Sequence, residues 1–324
     1  MAAMFNFGPA ALSASQGTIA FRLGSARSDR QFVWVDRSGK EIRKVGVPDN
    51  WTSPSASPDL SQLAVLKRDA IGNADVWLVE TRRGVLTRFT THPKEDVFPV
   101  WSRDGTRIAF QSNRDGAMGL YQKRTTGGAS EELLLNLGDV GGIVNDWSPD
   151  GQFLLYATLT GVTGTDLWAL PLRGGGKPFL VLKTDSDERD GQFSPDGRWI
   201  AYTSNSSGRF EVYMQPFPGP GGAIQVSTDG GAQVRWRPDG RALFYVGLDT
   251  RFMEVPIQVA ADAKPVLGAP VALFTARVGV AIHPAVSGAQ YVVSADGQSF
   301  LMNTLMPDVG PTLVRLVLNW KPQR

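Results

Sequence analysis

The chain contains no cysteine. That excludes disulfides, thiolate metal sites and a cysteine nucleophile, and it leaves the redox compartment open. Histidine is almost as scarce, with His92 and His283 the only two. A three-histidine metal site is therefore impossible by count, and a zinc site would have to recruit carboxylates. No apolar run approaches the ~20 residues that cross a bilayer. Met1 to Phe7 is too short for a signal peptide and lacks its basic flank. The formal net charge is only +2, too close to neutral for a nucleic-acid surface. Gly-x-Ser-x-Gly, His-Glu-x-x-His and Gly-rich phosphate loops are missing, so no cofactor and no metal is expected. No segment has a persuasive helical period; Glu131 to Leu137 comes nearest.

What is present is the material of many short strands joined by tight turns: Gly (36), Pro (21) and Trp (9) among 324 residues. Ser194-Pro195-Asp196-Gly197 is such a turn. Pro195 fixes φ at the first central position, Asp196 tolerates the second, and Gly197 can take a positive φ. Phe193 precedes the turn and Ile200 and Tyr202 follow it, so the local reading is strand, turn, strand. The pattern recurs. Turn aspartates stand at 59, 104, 150, 196, 239 and 296, and a degenerate copy has Gln16 in that place. The intervals are 43, 45, 46, 46, 43 and 57 residues.

A period in the forties with one sheet per repeat is the mark of a β-propeller. Each repeat supplies a strand A into the turn and a strand B out of it. Strand C carries a second aromatic (Trp34, Trp77, Tyr121, Trp168, Tyr213), and a short strand D follows. Glu131 to Leu137 falls where a strand D is due, and Gly174 to Gly176 and Pro216 to Gly222 fall between C and D. Neighbouring blades cover both faces of each sheet, so continuous apolar runs replace alternation. Trp101, Trp147 and Trp236 are expected to wedge between blades. The fold class expected is all-β: one seven-bladed propeller of four-stranded antiparallel blades spanning residues 1–324. Its seventh blade would end on a third strand, Leu313 to Trp320, leaving closure incomplete or dependent on Met4 to Phe7.

The chain resembles the TolB-type propellers, whose blades carry a Trp-Ser-Pro-Asp-Gly turn. It is similar still more closely to the C-terminal propeller region of membrane-anchored bacterial Ser/Thr kinases. Val33 to Lys40, Phe98 to Asn113, Asp146 to Tyr156, Gly191 to Ser204, Tyr213 to Gly222, Gln225 to Tyr245, Ser294 to Asn303 and Val317 to Trp320 carry the likeness. Seven turn copies depart from the six blades of TolB itself. No kinase motif occurs, so the kinase likeness implies a non-catalytic part. It also implies an extracytoplasmic bacterial domain if the chain is part of a longer protein.

Carboxylates gather in the loops from strand D to the next strand A, which surround one mouth of the channel. They are Asp49, Glu95, Asp96, Asp139, Asp185, Asp187, Glu188, Asp190 and Asp229, with Asp146 just inside strand A. Asp96, Asp146, Asp190, Arg189, Arg235, His92 and His283 are expected to form a binding site there for a protein or small polar ligand. The ordinary account of such charges is loop solvation and turn capping, and the binding site is the alternative to it. Asp146 and Arg235 each stand four residues before a turn aspartate, as do Ser55, Val100 and Gln192, which predicts a ring at one height. Asp185 to Gly191 approximates the start of a calcium loop, but Arg189 occupies the fifth ligand position. The function expected is a non-enzymatic, monomeric binding or sensing module that binds no nucleic acid and does not itself insert into a membrane. The alternative is a propeller hydrolase or lyase built on carboxylates and His92 or His283. An enzyme would hydrogen-bond a histidine to a carboxylate inside a deep pocket.

Overall fold

The repeated turn is held by its own side chains. The computed structural model describes residues 12–15, 18–23, 29–69, 71–128, 130–159, 164–219, 221–258, 264–279, 281–282, 288–306 and 313–318. In it the Ser102 hydroxyl donates to Asp104 Oδ1 at 2.7 Å and accepts the Arg107 amide at 3.0 Å. Asp104 Oδ1 also accepts the Thr106 amide at 3.0 Å. Ser57 with Asp59, Ser148 with Asp150, Ser194 with Asp196 and Ser294 with Asp296 repeat the box, each at 2.6 Å. The residue after the aspartate turns left-handed, at φ 70° in Gly105 and 72° in Gly197, where a side chain would be strained. Two copies deviate. Arg237 replaces the serine and binds Asp239 at 2.7 Å, and Leu60 replaces the glycine at φ 58°. All six turns join a strand A to a strand B.

The strands form six four-stranded blades, which corrects the expected seven. Blade one is Thr52–Ala56, Gln62–Arg68, Ala74–Glu80 and Leu86–Arg88. Blade two is Asp96–Trp101, Arg107–Ser112, Met118–Arg124 and Glu132–Gly138, so the helix-like stretch is indeed a strand D. Blade three is Gly141–Trp147, Phe153–Leu159, Thr165–Pro171 and Phe179–Leu182. Blade four is Glu188–Phe193, Trp199–Ser204, Glu211–Pro216 and Ile224–Gln225. Blade five is Ala232–Trp236, Ala242–Val246, Arg251–Gln258 and Val271–Thr275, with Val266–Leu267 paired on the third strand.

Blade six explains the miscount. Its strands A and B are Tyr291–Val293 and Ser299–Leu305; its strands C and D are Arg30–Asp36 and Glu41–Asp49. Ser299 lies opposite Asp36 and Leu305 opposite Arg30, so the two ends of the chain close the ring within one sheet. The repeat begins partway through a blade. Strands C and D near residue 34 therefore look like a blade of their own when turns are counted. The degenerate copy joins no blade: Thr18–Leu23 pairs with Leu12–Ser15 and with Leu313–Leu318 in a separate three-stranded sheet. Leu313–Leu318 is thus not a third blade strand, and Gln16 and Met4 to Phe7 lie outside the described residues.

Apolar clusters lie between blades rather than within them, which is why each strand B is buried on both faces. Phe244 and Phe252 of blade five pack with Tyr291 and Phe300 of blade six. Phe32 and Trp34 of blade six pack with Leu63 and Val79 of blade one. The tryptophans wedge as predicted. Trp147 is 3% exposed, and its indole N–H donates to the Val100 carbonyl of the preceding blade at 3.2 Å. Trp236 donates likewise to Gln192 at 3.3 Å. Phe217, in the C-to-D connection of blade four, packs edge-on against Phe193 at 4.9 Å and Phe153 at 5.2 Å. The Pro216 to Gly222 stretch thus tucks its aromatic residue between blades.

Candidate functional site: the central channel

Strand A is the innermost strand of every blade, and in five blades it is bulged against strand B. The bulges place Ser53, Phe98, Asp190 and Gln233 at φ between 52° and 58°. All four stand six residues before their turn aspartate, so the left-handed backbone is a repeated feature. A bulge re-aims the side chains beside it, here toward the axis. The result is a central cavity of about 370 Å³. Ser55, Val100, Asp146, Gln192, Arg235 and Val292 all line it, one from each blade and each four residues before its turn aspartate. Pro58, Arg103, Pro149, Pro195, Pro238 and Ala295, the residues just before those aspartates, ring its mouth.

The cavity therefore opens among the A-to-B turns, whereas the acidic D-to-A loops belong to the other end of each strand A. Asp49, Glu95, Asp139, Asp185, Asp187, Glu188 and Asp229 do not line it. Of the residues expected at the site, Asp146, Asp190 and Arg235 do. Asp96 does not: it is buried in blade two and pairs with Arg114 at 2.7 Å. Arg189 pairs with Asp187 at 3.0 Å and lies over the Phe210 ring at 5.4 Å. His92 accepts the Lys94 amide on Nδ1 at 3.1 Å and has no carboxylate partner among the described residues. His283 lies outside the described residues. Among the described residues no group of three or more histidines or carboxylates is disposed to hold a metal.

The two channel carboxylates are occupied by the fold. Asp146 Oδ1 accepts the Trp147 amide at 2.9 Å, and Oδ2 accepts the Phe193 amide of the next blade at 3.0 Å. Arg103 reaches over from blade two to donate to both oxygens, at 3.2 and 2.9 Å. Burial pushes the Asp146 carboxyl above the usual carboxylate range, against the pull of Arg103, Arg235 and the two amides. Asp190 Oδ2 accepts the Gln233 amide of blade five at 3.2 Å, and Oδ1 accepts the Gly288 amide ahead of blade six at 3.1 Å. Ser55 Oγ accepts the Trp101 amide at 3.1 Å. Among the described residues Arg235, half-buried in the wall, donates only to the Val234 carbonyl, at 3.3 Å. Sequence reasoning missed Arg103 and Val292. The first is visible as one of the two turn copies that lack proline, the one with a cation in its place; the second is visible by position alone. The bulges carry no composition signal, since Ser, Phe, Asp and Gln share nothing but place.

The sequence profile of the TolB beta propeller domain family matches residues 18–165, somewhat under half of the chain. In structure the chain is similar to a TolB-assigned protein of Agrobacterium tumefaciens. The TM-score is 0.65 at 17% identity, covering 86% of this chain and 99% of that one. The fold is that of a TolB-like β-propeller. The Tol-Pal system protein TolB of Helicobacter pylori strain J99 is 28% identical over 44% of this propeller and 34% of its own length. A Bacillus subtilis protein named as the uncharacterized peptidase YuxL is 28% identical over 48% of this propeller and 29% of its own length. This propeller thus spans about a third of those two relatives. No helix among its described residues is long and apolar enough to cross a membrane.

Proposed function

We propose that this TolB-like propeller is a non-enzymatic binding module that takes a polar segment of a partner protein into the channel mouth ringed by the A-to-B turns. One observation carries the reading: six side chains of mixed character, one per blade, converge on a single cavity. A ring of unlike residues packs poorly but discriminates among polar ligands. The likeness to TolB, a Tol-Pal system protein by name, favours a protein partner and an extracytoplasmic setting.

A peptidase-named relative favours a second reading, in which the propeller acts on peptides or serves a domain that does. Among the described residues His92 has no carboxylate partner and gives that chemistry no support; His283 lies outside them. Both readings meet one experiment. Random peptides displayed on phage are selected on the wild-type protein and titrated against Ala295→Trp. Ala295 is an exposed turn residue on the rim, so tryptophan there blocks the mouth without entering the core. Selected peptides are expected to bind the variant at least about tenfold more weakly. Equal binding to both proteins overturns the channel reading. Mass spectrometry of the recovered peptides is expected to show them intact, and cleavage would favour the second reading.

A further inference from the structure

We propose that Arg235 anchors a carboxylate carried by the ligand of this channel, an inference that rests on the channel being the binding site. The argument is one of elimination among the polar groups in the cavity wall. Asp146 accepts two backbone amides and the Arg103 fork, so it has no free capacity for a ligand donor. Asp190 is taken by the amides of Gln233 and Gly288. The Ser55 oxygen accepts the Trp101 amide, and the Gln192 amide nitrogen donates to the Asn145 carbonyl at 3.4 Å. Arg103, the other cation of the lining, is committed to Asp146. Among the described residues Arg235 is the one cation left over; the Asn145 amide, whose Oδ1 also lacks a hydrogen-bond partner, is neutral. Its one hydrogen bond is long and goes to its neighbour's carbonyl, and no carboxylate among the described residues lies within ion-pair distance of it.

A guanidinium is always charged and presents its donors as a planar fork. Most of that fork here faces an open cavity whose wall also holds Val100, Val292 and Trp236. Apolar walls lower the local dielectric and strengthen whatever ion the fork meets. The geometry favours a carboxylate over a phosphate. A single fork matches a carboxylate in bidentate fashion. A doubly charged phosphate would need a second free cation, and Asp146 and Asp190 in the same lining oppose extra negative charge. The carboxylate has two natural sources, the C-terminus or acidic side chain of a peptide and a small dicarboxylate.

The test uses defined probes: acetyl-tetra-alanine as free acid and as C-terminal amide, succinate, and inorganic phosphate. Trp101 and Trp236 line the cavity and report occupancy by fluorescence. The free acid or succinate is expected to bind in the millimolar range, and phosphate and the amide about tenfold more weakly or not at all. Binding of the free acid but not succinate assigns a peptide terminus; the reverse assigns a small dicarboxylate. Arg235→Gln is expected to lose about tenfold in affinity and Arg235→Lys to recover part of it. Arg235 makes no ion pair among the described residues, but its charge offsets the burial of Asp146; Arg235→Lys, which keeps that charge, is therefore expected to melt as the wild type does and Arg235→Gln to keep a cooperative transition, which a thermal scan checks. Equal binding of acid and amide, undiminished binding to Arg235→Gln, or no response to any carboxylate probe overturns the anchor. Ala295→Trp separates the two readings. If it abolishes binding of selected peptides while Arg235→Gln does not, the channel stands and the anchor falls.

Discussion

Trp147 and Asp146 are sequence neighbours with opposite roles in one blade junction. The tryptophan fills the space between blades, and the carboxylate ties Phe193 of the next blade and Arg103 of the previous one. Replacing Trp147 by alanine is expected to cost roughly 3–5 kcal/mol, the usual loss for a large buried aromatic. Urea melts monitored by circular dichroism measure it, and a change below ~1 kcal/mol would misplace the wedge. The turn aspartates act through acid instead. The Ser102 hydroxyl, then the Thr106 amide, hold the Asp104 carboxyl below the usual range. Stability from a depressed carboxyl is fully present above the ordinary aspartate value near ~4 and is lost as pH falls through the folded value. Asp104→Asn keeps the acceptor and removes the titration. Its urea midpoint is therefore expected to fall less than that of the wild type on acidification. The box itself was legible in sequence, because serine, aspartate and glycine at fixed offsets each have one job. The occupancy of Asp146 was not, since its partners come from two other blades.

At the level of the strand, the turns set register and the bulges set direction. Apolar runs on either side of each turn predicted where each strand A and B lies, because both flank a turn with fixed chemistry. They predicted the end of the channel less well: the acidic D-to-A loops drew the eye, and the cavity opens at the A-to-B turns. The reason is that much of that acid is spent inside blade junctions. Glu188, at the start of strand A in blade four, accepts the Thr184 and Ser204 hydroxyls on one oxygen at 2.6 and 3.2 Å. Its other oxygen has no hydrogen-bond partner, nor has Asp166 Oδ1. Burial, with the Asp166 charge adding to it, pushes the Glu188 carboxyl above its usual range. A raised carboxyl pKa has the opposite sign to the turns. The cost is absent below the ordinary glutamate value of ~4.3 and grows as pH rises through the folded value. Glu188→Gln keeps the hydroxyl acceptor and drops the charge. Its melting temperature at neutral pH is expected to equal or exceed that of the wild type, with the advantage gone in acid. A variant less stable at neutral pH would show that the charge is favourable where it lies.

The molecule as a whole is a ring of six interfaces, and its closure was the part least legible in sequence. Periodicity counts turns, but a blade shared between the two ends of a chain contributes its turn at one end and its strand C aromatic at the other. Trp34 and Asp296 belong to the same sheet, and nothing local says so. A chain beginning at residue 50 would lack strands C and D of blade six. It is expected to lose its cooperative thermal transition, whereas Trp147→Ala should keep one at lower temperature. The closing sheet also sets an order in time. Blades one to five are contiguous in sequence and can pair as they leave the ribosome. Arg30–Asp36 and Glu41–Asp49 emerge first of all the blade strands, yet their partner Ser299–Leu305 emerges last. Until that strand emerges the nascent chain thus carries an orphaned two-stranded hairpin with an unpaired edge, the kind of surface that recruits wrong partners. Aggregation during expression, and dependence on chaperones that shield strand edges, are the natural costs of joining the first and last blade strands in one sheet.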